Sequence, residues 1–227
     1  MATEVIAMLT HNDKTREDAL EIFESCKDLP VQYWGFKDVG LSTKELKKLN
    51  EVMKENGKTT VLEVVSFEEK DGIDAVQLAY ECDIDYLTGT VFYPSVLEYA
   101  KEKNIKYFPF SGNVSTEPQI KLNGTIEEVI NDSKELIDKG VNGVDLVAYR
   151  SQDADPLFLA KSVINEIGKE KIIIAGSINS VERIKLMNDI SPFAYTIGGA
   201  LFEGQFIQEG SFRDNLEYVI QLNKRLQ

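Results

Sequence analysis

Short runs of β-branched and aromatic residues alternate along the chain with longer stretches in which apolar positions recur every three or four residues. The short runs predict strands at Val5–Leu9, Val31–Phe36, Thr60–Val65, Tyr86–Thr88, Lys106–Phe110, Gly143–Ala148, Lys171–Ala175 and Ala194–Ile197. The longer stretches predict helices near 15–27, 43–56, 72–82, 94–103, 125–139, 156–168, 180–189 and 212–224. Helix starts are marked by Ser42-x-x-Glu45, Thr125-x-x-Glu128 and Asn179-x-x-Glu182, which place an acceptor at the N-cap and a carboxylate three residues on. Gly57, Gly140 and Gly168 suit left-handed C-caps. A strand followed by a helix, repeated to the end of the chain, predicts a parallel sheet. With this many repeats it closes better as a (β/α)8 TIM barrel of the α/β class than as an open sheet, with residues 1–227 as a single domain.

Composition narrows the function classes. A chain of 227 residues that is 43% hydrophobic can bury one substantial core. Its net charge of −13 and pI of about 4.6 repel nucleic acid and anionic membranes and leave no basic stripe to bind either. Cys26 and Cys82 form no C-x-x-C pair and sit in helical patterns, as reduced, buried thiols do. The apolar run near the N-terminus is too short for a signal peptide and no run approaches membrane-spanning length, so a cytoplasmic location is expected. Trp34, the one tryptophan, reads as packing.

The densest functional signal is near the C-terminus. Ile172-Ile-Ile-Ala-Gly-Ser-Ile-Asn-Ser180 and Tyr195-Thr-Ile-Gly-Gly-Ala-Leu-Phe-Glu-Gly204 are apolar runs that end in small residues and lead into helices. Such ends present unblocked backbone N–H groups to an anion, and glycine lets a phosphate oxygen approach the main chain. In an α/β barrel the usual phosphate site follows strands seven and eight, beside a short extra helix, for which Ala200-Leu-Phe-Glu203 is the candidate. Gly176, Ser177, Gly198 and Gly199 are therefore the candidate phosphate ligands.

Within those stretches, Ile173-Ile-Ala-Gly-Ser-Ile-Asn-Ser-Val-Glu182 and Ile197-Gly-Gly-Ala-Leu-Phe-Glu-Gly-Gln-Phe206 resemble the last quarter of the ribulose-phosphate-binding barrels. The phosphoribosylformimino isomerases of histidine biosynthesis have the same order of small residues, then Ala-Leu-aromatic-Glu-Gly and a closing helix. The resemblance implies a barrel that holds a phosphorylated metabolite. The chain departs from those isomerases where Ser66-Phe-Glu-Glu69 replaces a Gly-Gly-Gly stretch after strand three, and where no Asp ends strand one. Neither a second phosphate site nor the reaction of those enzymes is implied.

Catalytic groups in such a barrel stand at the carboxyl ends of strands. Strand one offers Thr10, His11, Asn12 and Asp13; strand two Gly35, Lys37 and Asp38; strand three Glu63 and Ser66; strand six Asp145, Tyr149 and Arg150. Glu63 lies in an apolar strand and shares a face, by a period of two, with Val61 and Val65. Asp145 is set among apolar residues in the same way, and Lys37 has Gly35 below it on its face, leaving room for the amine. A lysine between two carboxylates suits proton transfer beside a sugar carbonyl. A desolvated lysine also suits a Schiff base, which would make the protein an aldolase or lyase. His11, the one histidine, suits acid–base work. The candidate catalytic set is thus Lys37, Glu63, Asp145 and His11, with no cofactor or metal expected. Mg2+ on Asp38, Glu63 and Asp145 is the alternative, by likeness to decarboxylating barrels.

Two further features carry expectations. Asp85-Tyr-Leu-Thr-Gly-Thr-Val-Phe92 echoes Ala194-Tyr-Thr-Ile-Gly-Gly-Ala-Leu-Phe202, as a duplicated half-barrel would, and gives Gly89 a weaker anion contact. The stretch 111–124 reads either as a lid or as a surface excursion. The expected activity is isomerisation or epimerisation of a phosphosugar through an enediol, with a lyase using Lys37 and a non-catalytic phosphate-ligand sensor as alternatives. The expected partner is a phosphorylated small molecule, with a homo-oligomer left open.

Overall fold

The computed structural model describes residues 3–116 and 119–226. Eight parallel strands alternate with helices: β1 (Glu4–Met8), β2 (Tyr33–Lys37), β3 (Thr59–Ser66), β4 (Tyr86–Thr90), β5 (Lys106–Phe108), β6 (Val144–Leu146), β7 (Ile172–Ile174) and β8 (Ala194–Ile197). The helices are α1 (Ala19–Cys26), α2 (Thr43–Glu55), α3 (Glu69–Glu81), α4 (Pro94–Glu102), α5 (Ile126–Lys139), α6 (Pro156–Ile167), α7 (Val181–Ile190), the short α8 (Gly199–Phe202) and α9 (Phe212–Leu226). The strands pair in the order β6-β7-β8-β1-β2-β3-β4-β5. A parallel bridge between Phe110 and Asp145, with the Asp145 N–H donating to Pro109 O at 2.8 Å, joins the two ends and closes the barrel.

Alternation along the strands divides the apolar residues into two cores. Ile6, Met8, Val61, Tyr86, Phe108, Ile173 and Ala194 point inward and meet Tyr33 and Phe193. Ala7, Trp34, Phe36, Leu62, Leu87, Tyr107, Val144, Leu146, Ile174 and Tyr195 point outward and pack under the helices. Trp34 is fully buried there, edge-on to Phe23 at 5.0 Å, with its indole N–H donating to Val31 O. No helix among the described residues is long and apolar enough to cross a membrane.

The predicted elements hold within a few residues, and each exception has a local cause. The capping boxes at Ser42 and Thr125 are both formed. At the third helix start the cap is Ser180, whose hydroxyl accepts from Arg183 N–H, while Asn179 accepts from the Arg183 side chain instead. Gly140 caps α5 in the left-handed region; Gly168 has φ 92 and ψ 138 and turns the chain differently. The helix expected from residue 15 starts only at Ala19, because Thr10–His11 and Lys14–Thr15 pair as an antiparallel hairpin first.

The stretch 111–124 is a second hairpin, Asn113–Ser115 against Lys121–Asn123, with Glu117 and Pro118 outside the described residues. Its Val114 and Leu122 are buried and Leu122 bridges to Ser151, so its base is packed core rather than a loose excursion. The half-barrel echo does not extend to structure. Tyr86 faces the barrel interior and Tyr195 the helix side, so the two segments present opposite faces at matched positions.

Candidate functional site

A cavity of about 320 Å³ opens at the carboxyl ends of the strands. One wall is made by Lys37, Glu63 and Asp13, the other by Gly176, Ser177, Asn179, Gly198, Gly199, Glu203 and Arg150, and Thr10, Ile120 and Val147 also line the cavity.

Lys37 ends β2 pointing inward, paired in register with Glu63 of β3. It is 7% exposed, and its Nζ lies 3.4 Å from Glu63 Oε1 and 3.1 Å from Asp13 Oδ1. Burial alone would lower the Lys37 pKa, but the facing carboxylates of Glu63 and Asp13 outweigh it and hold the pKa above the usual lysine value. Lys37 is therefore an ammonium at neutral pH. The space above Gly35 is not what seats the amine: a Cβ at Gly35 would lie 2.3 Å from the Met8 sulfur, so Met8 fills that gap.

Glu63 faces inward with Val61 by the period of two, and the strand becomes irregular just beyond it. The register of β3 against β4 shifts between Glu63 and Ser66, and Val65 packs with the outer core rather than sharing a face with Glu63. Gly89 on β4 accommodates this. With φ 88, a Cβ there would come within 2.9 Å of Val64 O and 3.1 Å of Glu63 Cγ. Gly89 therefore serves close packing beneath Glu63, in place of the expected anion contact.

Asp145 stands behind this pair. It is 1% exposed, it is not on the cavity wall, and its Oδ1 has no hydrogen-bond partner among the described residues. Burial, then the charge of Glu63, push its carboxyl well above the usual range, with Lys37 opposing in part. A buried, unpaired carboxylate is costly, and the neutral acid avoids that cost.

His11 is turned away from the cavity. Its Nε2 lies 3.3 Å from Glu203 Oε1 and its ring is 5.6 Å from that of Phe202 on α8. The hairpin carries His11 to the rim, so it does not join Lys37 and Glu63. Asp38 is likewise separated: it lies on the outward side of β2, in a small pocket with Val64, Asp71 and Asp74, where burial raises its pKa. The alternative magnesium set of Asp38, Glu63 and Asp145 is not assembled. No group of three His, Cys, Asp or Glu side chains among the described residues is arranged to hold a metal ion.

The two glycine corners do converge. Gly176 has φ 77 and Ser177 φ 62, a left-handed pair that turns the chain sharply after β7. At Gly198 a Cβ would meet Thr10 O at 2.9 Å and Met8 Cβ at 3.0 Å, which restricts the position to glycine. Gly176 N–H makes one long contact, 3.4 Å to Thr196 Oγ1. The amides of Ser177, Gly198 and Gly199 meet no protein acceptor among the described residues. Arg150 crosses the Gly176 corner, its Nε 3.6 Å from where a Cβ would stand, and donates to Gln119 Oε1 at 3.2 Å. Arg183 supports the corner from outside, donating to Ser177 O and Asn179 Oδ1 and stacking on Tyr149.

The residue whose role sequence reasoning passed over is Asp13. It is visible among the residues after strand one, and Asn12-Asp13 between two short polar runs is a hairpin turn signal. What places it opposite Lys37 is pairing across the mouth, which no local pattern records.

No protein-family model matches the chain, and no curated protein matches it in sequence. Solved structures are. A native KDPGal structure superposes with a TM-score of 0.70 at 8% identity, covering 98% of this chain and 95% of that one. Orotidine 5'-phosphate decarboxylase from Pyrococcus horikoshii OT3 gives 0.69 at 10%, covering 97% and 99%. N-(5'-phosphoribosyl)anthranilate isomerase from Pyrococcus furiosus gives 0.66 at 12%, covering 98% and 99%. The likeness spans the whole fold and says nothing specific of the phosphoribosylformimino isomerases. At this identity it establishes a shared architecture: the chain folds as a (β/α)8 barrel of the kind these enzymes use.

Proposed function

We propose that the protein is an enzyme that isomerises or epimerises a phosphosugar, or a related phosphorylated metabolite, through an enediol or enediolate. The observation that carries the reading is one cavity with unpaired backbone amides at one wall and a lysine ammonium between two carboxylates at the other. The amides of Ser177, Gly198 and Gly199, the Ser177 hydroxyl and Arg150 take the phosphate. The carbon chain then reaches Lys37, whose ammonium donates to the carbonyl oxygen and stabilises the charge that develops there. Glu63, as carboxylate, accepts the proton from the carbon beside the carbonyl and returns it on the same face to the adjacent carbon, the isomerase outcome. Asp145, buried off the cavity wall with its carboxyl pKa raised by burial, takes no direct part in the transfer.

A Schiff base needs a neutral amine, and the two carboxylates favour the ammonium form of Lys37, which supports the isomerase reading over the lyase. A passive sensor has no use for a buried lysine held between two carboxylates at one mouth. The names of two structural neighbours, a decarboxylase of orotidine 5'-phosphate and an isomerase of N-(5'-phosphoribosyl)anthranilate, carry phosphorylated compounds and fit the same reading.

The test is solvent deuterium exchange at the carbon beside the carbonyl, followed by NMR in D2O across a panel of aldose and ketose phosphates. The expected outcome is exchange with at least one member, reduced about 10²- to 10⁴-fold in Glu63→Gln, which keeps the shape and removes the base. Borohydride trapping of a covalent adduct that disappears in Lys37→Ala would overturn the isomerase in favour of the lyase.

A further inference from the structure

The hairpin that replaces the first turn of α1 is anchored as a unit to the strand that carries Lys37. Thr15 Oγ1 donates to Lys37 O and accepts from Lys37 N–H, each at 2.8 Å. Thr15 N–H donates to Val39 O at 2.9 Å, and Gly40, at φ 106, packs so closely on Thr15 that a Cβ would lie 2.2 Å from its carbonyl oxygen. At the tip, Asn12 and Asp13 have φ 50 and 58, the pair of left-handed residues of a two-residue hairpin turn that matches strand twist. The turn is fixed at both ends, and it sets the Asp13 carboxylate 3.1 Å from the Lys37 ammonium.

The charge count at that wall is then one cation to two anions. Glu63 and Asp13 share Lys37, and neither pairs with another cation among the described residues. A ligand carboxylate brought to Lys37 would be a third anion on one ammonium. A hydroxyl or carbonyl oxygen would receive its hydrogen bond with no such repulsion. The positive side chain that lines the cavity besides Lys37, Arg150, is at the opposite corner, against Gly176.

We propose that Asp13 is a specificity-determining residue, and that with Glu63 it makes the Lys37 end of the cavity accept an uncharged hydroxyl or carbonyl head-group and refuse a carboxylate. The substrate class is then a phosphorylated polyhydroxy aldehyde or ketone, not a phosphorylated sugar acid. This rests on the phosphate reading of the glycine corners. The Asp13 side chain is 91% exposed, so water and salt screen its field, and its effect is about tenfold rather than several orders of magnitude.

Sorbitol 6-phosphate and 6-phosphogluconate, which differ at C1 as CH2OH against carboxylate, test this by titration calorimetry, with inorganic phosphate as the third probe. Wild-type protein is expected to bind sorbitol 6-phosphate about tenfold more tightly than 6-phosphogluconate. In Asp13→Asn, which tolerates the left-handed turn, the ratio is expected to fall to about threefold or less through tighter binding of 6-phosphogluconate alone. Inorganic phosphate is expected to bind both proteins equally. Equal affinity for the two sugar compounds in wild type, with inorganic phosphate still bound, overturns the proposal and leaves the phosphate reading standing. A ratio unchanged in Asp13→Asn overturns the role of Asp13. Absence of binding by all three probes overturns the phosphate reading and this proposal with it.

Discussion

The two ends of the barrel interior are built from the same inward-facing strand positions and filled with opposite chemistry. At the amino ends, Tyr86 and Phe108 stack on Phe193 and Tyr33 meets Tyr86 and Phe193 edge-on, with ring centroids 5.4 to 6.3 Å apart. At the carboxyl ends, along the same alternation, stand Lys37, Glu63 and Asp145. The aromatic floor removes a large apolar area from water and keeps water out from below. The charged mouth does the reverse: it holds ionisable groups where desolvation works against folding. The barrel tolerates an unfavourable arrangement at one end because the other end is so favourable.

Substitutions that exchange the character of the two ends sharpen this contrast. The largest effect is expected at the floor. Phe108→Ala leaves a cavity beneath Tyr86 and Phe193 and should destabilise the protein by about 3–5 kcal/mol in urea unfolding. Inorganic phosphate should raise the unfolding midpoint of that variant by as much as it is expected to raise that of wild type. Loss of the phosphate effect there would break the division between the ends.

The next effect is expected at the glycine wall. Gly198→Ala forces a methyl against Thr10 O and Met8 Cβ and should cost about 1–3 kcal/mol of stability. By displacing an unpaired amide it should also abolish stabilisation by inorganic phosphate, which for a ligand at 100 times its Kd is about 2.7 kcal/mol. A Gly198→Ala protein that still responds fully to phosphate in a thermal-shift assay would remove this corner from the site.

The smallest effect at any one step, and the most specific, concerns Asp145 and is read per pH unit. Its pKa is raised on folding, so below the unfolded carboxylate pKa both states are protonated and nothing is lost. As pH rises through that value the unfolded chain releases its proton first, and stability falls until the folded group also ionises. Asp145→Asn removes this slope. The variant should lose up to about 1.4 kcal/mol less per pH unit than wild type above pH 4, measured from urea midpoints at several pH values. Parallel profiles for the two proteins would mean that Asp145 folds as a carboxylate.

Most of the barrel is legible along the chain because each strand and helix announces itself through a period that its own residues carry. The strands at Tyr86, Lys106 and Ala194, the capping boxes at Ser42 and Thr125, and the small residues after β7 and β8 are all local facts. Lys37 and Glu63 are legible as well, since a charged residue inside an apolar strand must face the mouth or find a partner; Asp145 does neither and is buried behind them.

The remainder depended on contacts between segments far apart in sequence. His11 is carried to Glu203, 192 residues away, by a hairpin that local helical period conceals. Asp38 falls on the far side of β2 from Lys37, and a register shift in β3 turns Val65 outward. Asp13 meets Lys37 only because Thr15 and Gly40 dock the hairpin onto β2. The sequence by itself determined the barrel, its two glycine corners and which strands carry charge, because periodicity and small residues act over a few neighbours. Tertiary structure alone decided which of those charges face one another, because an ion pair is set by distance in space and chain spacing does not encode that distance.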